Sequence, residues 1–125
     1  MKTKRILVID DEPSITRTMK TNLERSGAYS VCAENHATRA LETARRFQPD
    51  LIFLDVMMPE LDGGHLAAQI GSDRDFKNVP VIFLTAIVSP EEATDHGKMI
   101  AGHFFLAKPV SLAALTQCIE EFTAE

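Results

Sequence analysis

The sequence lacks the features that mark secreted, disulfide-stabilised and membrane-spanning proteins. It contains two cysteines, Cys32 and Cys118, without C-x-x-C spacing, so neither a disulfide framework nor a cysteine metal site is expected. No apolar run approaches the roughly 20 residues that cross a bilayer, and the first residues, MKTKRILVIDDE, turn acidic too early for a signal peptide. We therefore expect a cytoplasmic protein with no membrane partner, in which both cysteines are reduced packing residues.

The chain also lacks a concentrated basic surface. Its formal net charge is −5, and its lysine and arginine residues are scattered. The pair Arg45-Arg46 is dense, but it falls late in a predicted helix, where positive charge interacts favourably with the helix dipole. Phosphate backbones are bound through clustered Lys and Arg, so we do not expect nucleic acid as a direct partner.

Short apolar runs alternate with helical patterns along the 125 residues. The length, and the ordinary balance of 45% hydrophobic and 25% charged residues, favour one domain spanning 1–125. Nearly continuous apolar runs at 5–9, 29–33, 51–54, 79–84 and 104–107 are typical of strands that are covered on both faces. Their alternation with helices predicts a parallel sheet.

Five helices are expected between and after these strands. The first begins near Pro13 and ends before Gly27, the fourth begins with a capping box at Ser89, and the fifth follows Ser111 as its N-cap. Apolar stripes predict the inward faces of the first, second, third and fifth helices: Ile15-Met19-Leu23, Ala40-Leu41-Ala44-Phe47, Leu66-Ala67-Ile70 and Leu112-Leu115-Ile119-Phe122.

Right-handed crossovers, with helices on both faces, favour a doubly wound α/β fold. We expect a three-layer αβα sandwich of the flavodoxin-like type, with five parallel strands in the order 2-1-3-4-5. Ligands of such sheets bind at the carboxyl ends of the strands. The polar segments that leave the predicted strands would meet at this edge: Asp10-Asp11-Glu12, Asp55, Thr85-Ala86 and Lys108-Pro109.

The acidic residues of this group indicate a metal site. Asp10, Asp11 and Glu12 end the first strand, and Asp55 ends the third, which is its neighbour in this topology. Carboxylates so close repel one another, and an all-oxygen ligand set suits Mg²⁺, which readily shares phosphate oxygens. Taken singly, Asp11 or Glu12 would merely cap the first helix and Asp55 a turn, but their coincidence at one edge favours the metal site.

Lys108 and Thr85 add a cation and a hydroxyl to the same edge. An ammonium there could pair with Asp55 at rest or hold a transferred phosphoryl oxygen. A carboxylate that attacks phosphorus approaches an anionic group, so Mg²⁺ and Lys108 would neutralise charge during the transfer. Individually, Lys108 reads equally well as a solvated lysine before a turn, and Thr85 as an ordinary β-branched strand residue.

Four segments together resemble one known family, the response-regulator receiver domains. They are ILVIDDE at 6–12, LIFLDVMMPELDG at 51–63, VIFLTA at 81–86 and LAKP at 106–109. The resemblance covers nearly the whole chain, and the segments occur in the family's order and at its spacing, which makes the match specific. It implies a phosphorylated signalling switch rather than an enzyme that turns over a substrate, although the domain promotes its own phosphorylation and dephosphorylation.

The resemblance also implies a role for each matching acidic position. Asp55 would be the phosphoacceptor. Asp10, Asp11 and Asp55, together with the backbone carbonyl of Met57, would hold Mg²⁺. Asp11 would be the more direct ligand, with Asp10 acting largely through a water.

A phosphoryl-binding and switching group is implied in the same way. Thr85, followed by Ala86, would hydrogen-bond the phosphoryl group, Lys108 would bind it, and Pro109 would follow a cis peptide bond. Phe105 would be the aromatic residue that rotates inward when Thr85 moves.

The loop that enters the predicted fifth strand departs from the family pattern. The family commonly has Gly-Ala before two variable residues and the switch aromatic, but here Gly102 is followed by His103, Phe104 and Phe105. Phe104 therefore competes with Phe105 as a packing aromatic, and Phe105 lacks a tyrosine hydroxyl.

The expected partner is a sensor histidine kinase or a histidine phosphotransfer domain, which would supply a phosphohistidine. The chain's own histidines, at positions 36, 65, 96 and 103, are dispersed without metal-ligand spacing and are expected to be surface or packing residues. Dimerisation would use the face formed by the fourth helix, fifth strand and fifth helix. The chain shows no helix-turn-helix or catalytic segment, so the output is not specified by the sequence.

Three other functions fit the sequence less well. A flavin site on the same fold needs a hydroxyl- and glycine-rich phosphate loop, and Asp-Asp-Glu would repel that phosphate. An aspartate-nucleophile phosphohydrolase needs a second Asp two residues after the nucleophile, where Glu12 stands. A docking module that acts without phosphorylation would not need the full acceptor set.

The lifetime of the phosphoryl group is predicted from Met57 and Ile87, two positions beyond Asp55 and Thr85. By resemblance both flank the phosphoryl group. Hydrolysis needs a water in line with the phosphorus, and these apolar side chains cannot orient one, so dephosphorylation should be slow. Alternatively, both side chains pack against exposed loops and leave water access unchanged.

Overall fold

The apolar runs form the strands of one sheet in the computed structural model, which describes residues 3–56, 63–85, 98–100, 103–108 and 110–124. The strands within these residues are β1 (Lys4–Ile9), β2 (Tyr29–Glu34), β3 (Leu51–Asp55), β4 (Val81–Thr85), β5 (Lys98–Ile100) and β6 (His103–Ala107). The α-helices are α1 (Pro13–Glu24), α2 (Ala40–Phe47), α3 (Gly63–Ser72) and α4 (Leu112–Phe122), and a 3₁₀ turn, Ala37–Arg39, precedes α2.

The sheet confirms the predicted order of five parallel strands. The observed order is β2-β1-β3-β4-β6-β5, in which β6 is the predicted fifth strand. The additional strand, β5, pairs antiparallel with β6, with Met99 opposite Phe104. We did not predict β5, because three residues are too few to show a periodic pattern.

Alternate residues of the central strands point to opposite faces, and each face carries two of the helices that the structure describes. Ile6 and Val8 of β1 belong to a buried cluster that also includes residues of α1 and α4. Leu7 and Ile9 belong to a second cluster with residues of α2 and α3. The three-layer arrangement is thus confirmed, and it follows from strands that are apolar on both sides.

The ends of the helices follow their local sequence. Pro13 begins α1, where a missing backbone N–H costs nothing, and Gly27 beyond its end has a φ of +81°. The Ser111 hydroxyl accepts the Ala114 N–H at 3.1 Å and caps α4, as expected. The helix predicted to begin at Ser89 lies outside the described residues.

One predicted core position is wrong. Leu112, the first residue of α4, is 43% exposed, whereas Leu115 and Ile119 are buried. The buried stripe is completed by Ala114 and Cys118, so its centre is rotated away from Leu112.

Both cysteines are free thiols that pack against different faces of the sheet. Cys118 is buried in the cluster of α1 and α4, and half-buried Cys32 packs against the cluster of α2 and α3. Burial raises the pKa of the Cys118 thiol to about 12, so this group is inert at neutral pH. None of the helices in the described part of the chain is long and apolar enough to span a membrane.

Candidate functional site

Four polar residues stand at the carboxyl ends of neighbouring parallel strands. Asp10 follows β1, Asp55 ends β3, Thr85 ends β4 and Lys108 follows β6. The exposed fractions of Asp10, Asp55 and Thr85 are 0%, 4% and 5%. Because the strands are parallel and in register, residues that are far apart in the chain meet at one edge.

Three carboxylates at this edge form a compact cluster. Asp10, Asp11 and Asp55 each offer an oxygen, and these atoms lie within 4.8 Å of one another. Two of the three residues are buried and Asp11 is half-buried. Oxygen ligands of this kind suit Mg²⁺, which binds through one or two carboxylates and keeps several waters. The donor set therefore fits a magnesium ion.

Lys108 bridges two of these carboxylates. Its Nζ lies 2.7 Å from Asp10 Oδ2 and 3.3 Å from Asp55 Oδ1. Burial lowers the pKa of the Lys108 ammonium, but the hydrogen bond to Asp10 and the charges of Asp10 and Asp55 outweigh burial, so the pKa is raised. The side chain is therefore positively charged at neutral pH.

The backbone fixes Lys108 beside β4. Its N–H donates to the Thr85 carbonyl at 2.8 Å, which continues the pairing of the two strands by one residue. The position of the ammonium is therefore tied to the strand that ends in Thr85.

Asp10 is held on several sides. Its Oδ1 accepts the Glu12 N–H at 3.0 Å while Lys108 occupies Oδ2, and its own N–H donates to the Glu34 carbonyl at 3.1 Å. Both carboxylate oxygens of Asp10 therefore already have hydrogen-bond donors. Whether Asp11 is the more direct ligand stays a prediction.

The two adjacent aromatic residues of β6 face opposite sides of the sheet. Phe105 stacks on Phe83 of β4, with ring centroids 5.0 Å apart and an interplanar angle of 23°. Phe104 contacts Phe122 of α4 edge to face, also at 5.0 Å. Phe104 thus lies on the face covered by α4. Half-buried Phe105 lies on the other face, beside β4, the strand that ends in Thr85.

Several predicted site residues lie outside the described residues: Met57, Ala86, Ile87 and Pro109. Of the histidines, His36 and His65 are exposed. The side chain of His103 and all of His96 are not among the described parts of the chain.

The sequence interpretation assigned no role to Asn35 or Thr16. The Asn35 side chain donates to the Asp10 carbonyl and to the Thr16 hydroxyl. The available signal was that Asn35 leaves β2 at the same edge as the acidic residues, but an amide there is also common in ordinary turns.

Comparison with known proteins assigns the chain to a family. The response regulator receiver domain matches residues 6–120. The chain belongs to this family. As a receiver domain it is a signalling switch of two-component systems, and the resemblance stated from its sequence is confirmed.

The receiver domain is similar in sequence to named transcriptional regulators. It is 39% identical over 110 residues to the alkaline phosphatase synthesis transcriptional regulatory protein PhoP of Bacillus subtilis, covering 86% of this chain and 43% of that protein. It is 39% identical over 83 residues to the DNA-binding dual master transcriptional regulator RpaA of Synechocystis, covering 66% of this chain and 34% of that protein. The chain thus spans less than half the length of these curated relatives.

Solved structures show the same fold. A response regulator from Chloroflexus aurantiacus superposes with a TM-score of 0.83 at 25% identity, covering 99% of this chain and 100% of that one. The chemotaxis response regulator CheY4 of Vibrio cholerae gives a TM-score of 0.79 at 26% identity, covering 97% and 99%.

Proposed function

We propose that this receiver domain accepts a phosphoryl group on Asp55 from a phosphohistidine of a sensor histidine kinase or a histidine phosphotransfer domain. The observation that carries the proposal is the cluster of Asp10, Asp11 and Asp55, with Lys108 bridging two of its members. The proposal takes residues 1–125 as a single receiver domain.

The transfer is a displacement at phosphorus. An Asp55 carboxylate oxygen forms the new O–P bond as the P–N bond of the phosphohistidine breaks, and the imidazole leaves with the electron pair and takes up a proton. Lys108 moves from its carboxylate partners to a phosphoryl oxygen and neutralises charge there. The Thr85 hydroxyl hydrogen-bonds another oxygen. Mg²⁺, held by Asp10, Asp11, Asp55 and the Met57 carbonyl, would supply Lewis-acid stabilisation of the transferring oxygens.

Phosphorylation would shift a surface of the domain between two conformations. A new contact between Thr85 and the phosphoryl group supplies the differential interaction that a population shift requires, and Phe105 would follow Thr85. Phe105 packs on Phe83, whose strand ends in Thr85, so this aromatic pair connects the site with β6. The responding face would comprise the predicted helix from Ser89, β6 and α4, and exposed Leu112 on α4 offers an apolar contact for a partner or a second copy.

The proposal is tested by intact mass measurement after incubation with acetyl phosphate. We expect one phosphoryl increment in the presence of Mg²⁺ and none in the presence of a chelator. An unmodified protein under both conditions would contradict the proposal and support a docking module that acts without phosphorylation.

A further inference from the structure

The Asn35 side chain connects the end of β2 with the segment that carries the acidic pair. Its Nδ2 lies 2.8 Å from the Asp10 carbonyl oxygen and 3.0 Å from Thr16 Oγ1. Thr16, in the first turn of α1, is 2% exposed, and Asn35 is half-buried. The amide therefore reaches across the loop between β1 and α1 and contacts both of its ends.

The chemistry of the partners fixes the direction of each hydrogen bond. The Asp10 carbonyl only accepts, so the Asn35 atom facing it must be the nitrogen. Thr16 Oγ1 lies 3.1 Å from the Pro13 carbonyl, which also only accepts, so the hydroxyl hydrogen points there and the hydroxyl oxygen accepts from Asn35. Both N–H groups of the amide are used.

These bonds set the orientation of the peptide group that leads into Asp11. The Asp10 carbonyl belongs to the planar unit that also contains the Asp11 N–H, so holding its oxygen fixes the direction in which the chain enters Asp11. The Asp10 N–H is anchored to the Glu34 carbonyl of β2 at 3.1 Å. Both backbone polar groups of Asp10 are thus bonded to residues at the end of β2.

We propose that Asn35 and Thr16 are positioning residues that hold Asp11 and Asp10 in the geometry needed to bind Mg²⁺. This inference rests on the proposed function. Partners that orient metal ligands typically contribute about 10- to 100-fold in metal affinity, because a loosened ligand must be ordered when the metal binds. Asn35→Ala should accordingly weaken Mg²⁺ binding about tenfold, the lower end of that range.

Four further variants separate positioning from general stability. Asn35→Asp replaces the donor with an acceptor that repels the Asp10 carbonyl, and Thr16→Val removes the hydroxyl while keeping the shape. Thr16→Ser keeps the hydroxyl. Thr43→Val is the matched control, because the buried Thr43 hydroxyl donates to Glu34 Oε1 at 2.6 Å at the end of the same strand without contacting Asp10.

Two measurements on the folded variants test the proposal: Mg²⁺ affinity by calorimetric titration, and amide hydrogen exchange of the metal-free protein. We expect Asn35→Ala and Asn35→Asp to weaken Mg²⁺ binding most and Thr16→Val to weaken it less. Thr16→Ser and Thr43→Val should bind as the parent does. The Glu12 amide, which donates to Asp10 Oδ1, should exchange faster in Asn35→Ala and unchanged in Thr43→Val.

The outcomes separate this inference from the proposed function. A parent that binds Mg²⁺ no better than Asn35→Ala and Thr16→Val would overturn the positioning role while leaving the metal site intact. A parent that does not bind Mg²⁺ at all would contradict the proposed function, and this inference with it. If Asn35→Ala fails to fold, the comparison of Thr16→Val with Thr16→Ser decides.

Discussion

A lysine–carboxylate pair lies at each end of the parallel strands, and the two pairs differ in their surroundings. We call these ends the amino edge and the carboxyl edge of the sheet. At the amino edge, Lys4 Nζ lies 3.1 Å from Glu120 Oε1, and the two side chains are 30% and 59% exposed. At the carboxyl edge, Lys108 Nζ lies 2.7 Å from Asp10 Oδ2, and the two side chains are 16% and 0% exposed. Water screens the first pair and is largely excluded from the second.

The balance of charge differs as well. At the amino edge, Glu120 has one cation and a second donor, the Tyr29 hydroxyl at 2.7 Å, so its charge is matched. At the carboxyl edge, one lysine bridges two members of a group of three carboxylates. The same residue types therefore tie strands to a helix at one edge, and at the other the carboxylates outnumber the lysine among the described residues, a balance of charge that suits a divalent cation.

The largest expected effect on Mg²⁺ binding is that of a change at Asp11. Asp11→Asn removes an anionic ligand and should weaken Mg²⁺ binding by more than about tenfold, so phosphorylation by acetyl phosphate should fail at Mg²⁺ levels that suffice for the parent. Asp75→Asn, which removes an exposed carboxylate outside the cluster, is the control. An unchanged dependence on Mg²⁺ in Asp11→Asn would mean that the ligands are misassigned.

Loss of the Thr85 hydroxyl should separate phosphorylation from its consequence. Thr85→Ala should still accept the phosphoryl group but lose the response on β6 and α4, whereas Thr85→Ser should keep both. Amide chemical shifts with and without beryllofluoride measure the response. Equal shift changes in the parent and Thr85→Ala would remove Thr85 from the switch.

Removing each lysine compares the two edges directly. Lys108→Met leaves buried carboxylates without their bridging cation and should lower the free energy of unfolding by about 2 kcal/mol, less than for a fully buried pair because Lys108 retains some exposure. Lys4→Met should cost less than about 1 kcal/mol. Urea unfolding checks both values, and Mg²⁺ should recover part of the loss only for Lys108→Met. Equal losses of stability in the two variants would contradict the difference described between the two edges.

The smallest expected effect concerns Tyr29 at the amino edge. Burial, followed by the hydrogen bond and charge of Glu120, raises the pKa of Tyr29 to about 12. Since the folded pKa exceeds the unfolded value of about 10, the contribution to stability is complete below pH 10 and is lost as the pH rises through about 12. The chain has one tyrosine and no tryptophan, so phenolate absorbance reports this group alone.

Two adjacent glutamates provide a test and its control for that titration. Glu120→Gln should lower the midpoint, because it removes the charge that opposes ionisation of Tyr29, while Glu121→Gln should leave the midpoint unchanged. A Tyr29 midpoint near 10 in the parent would show that the phenol is neither buried nor bonded as described.

Much of this fold was predictable because apolar periodicity is a local signal. The five parallel strands and the Ser111 cap follow from residues that are close in the sequence, whereas the order of the sheet follows from right-handed crossovers with helices on both faces. The short strand β5 and the exposure of Leu112 depend on tertiary packing, and pattern alone did not reveal them.

The candidate site divides in the same way. Asp10, Asp11, Asp55 and Lys108 were found because charged residues directly after apolar strands are conspicuous in a sequence. Asn35 was missed because its role depends on two hydrogen-bond acceptors that only the fold brings close to it, the Asp10 carbonyl and the Thr16 hydroxyl.

A comparison of intact masses decides whether the carboxyl edge of the sheet accepts a phosphoryl group on Asp55. The parent, Asp55→Asn and Asp50→Asn would each be incubated with acetyl phosphate and Mg²⁺. Asp50 immediately precedes β3, and its side chain accepts the Arg5 N–H at the opposite edge of the sheet. We predict one phosphoryl increment on the parent and on Asp50→Asn and none on Asp55→Asn, because an amide cannot form the acyl phosphate. An increment on Asp55→Asn would contradict the account.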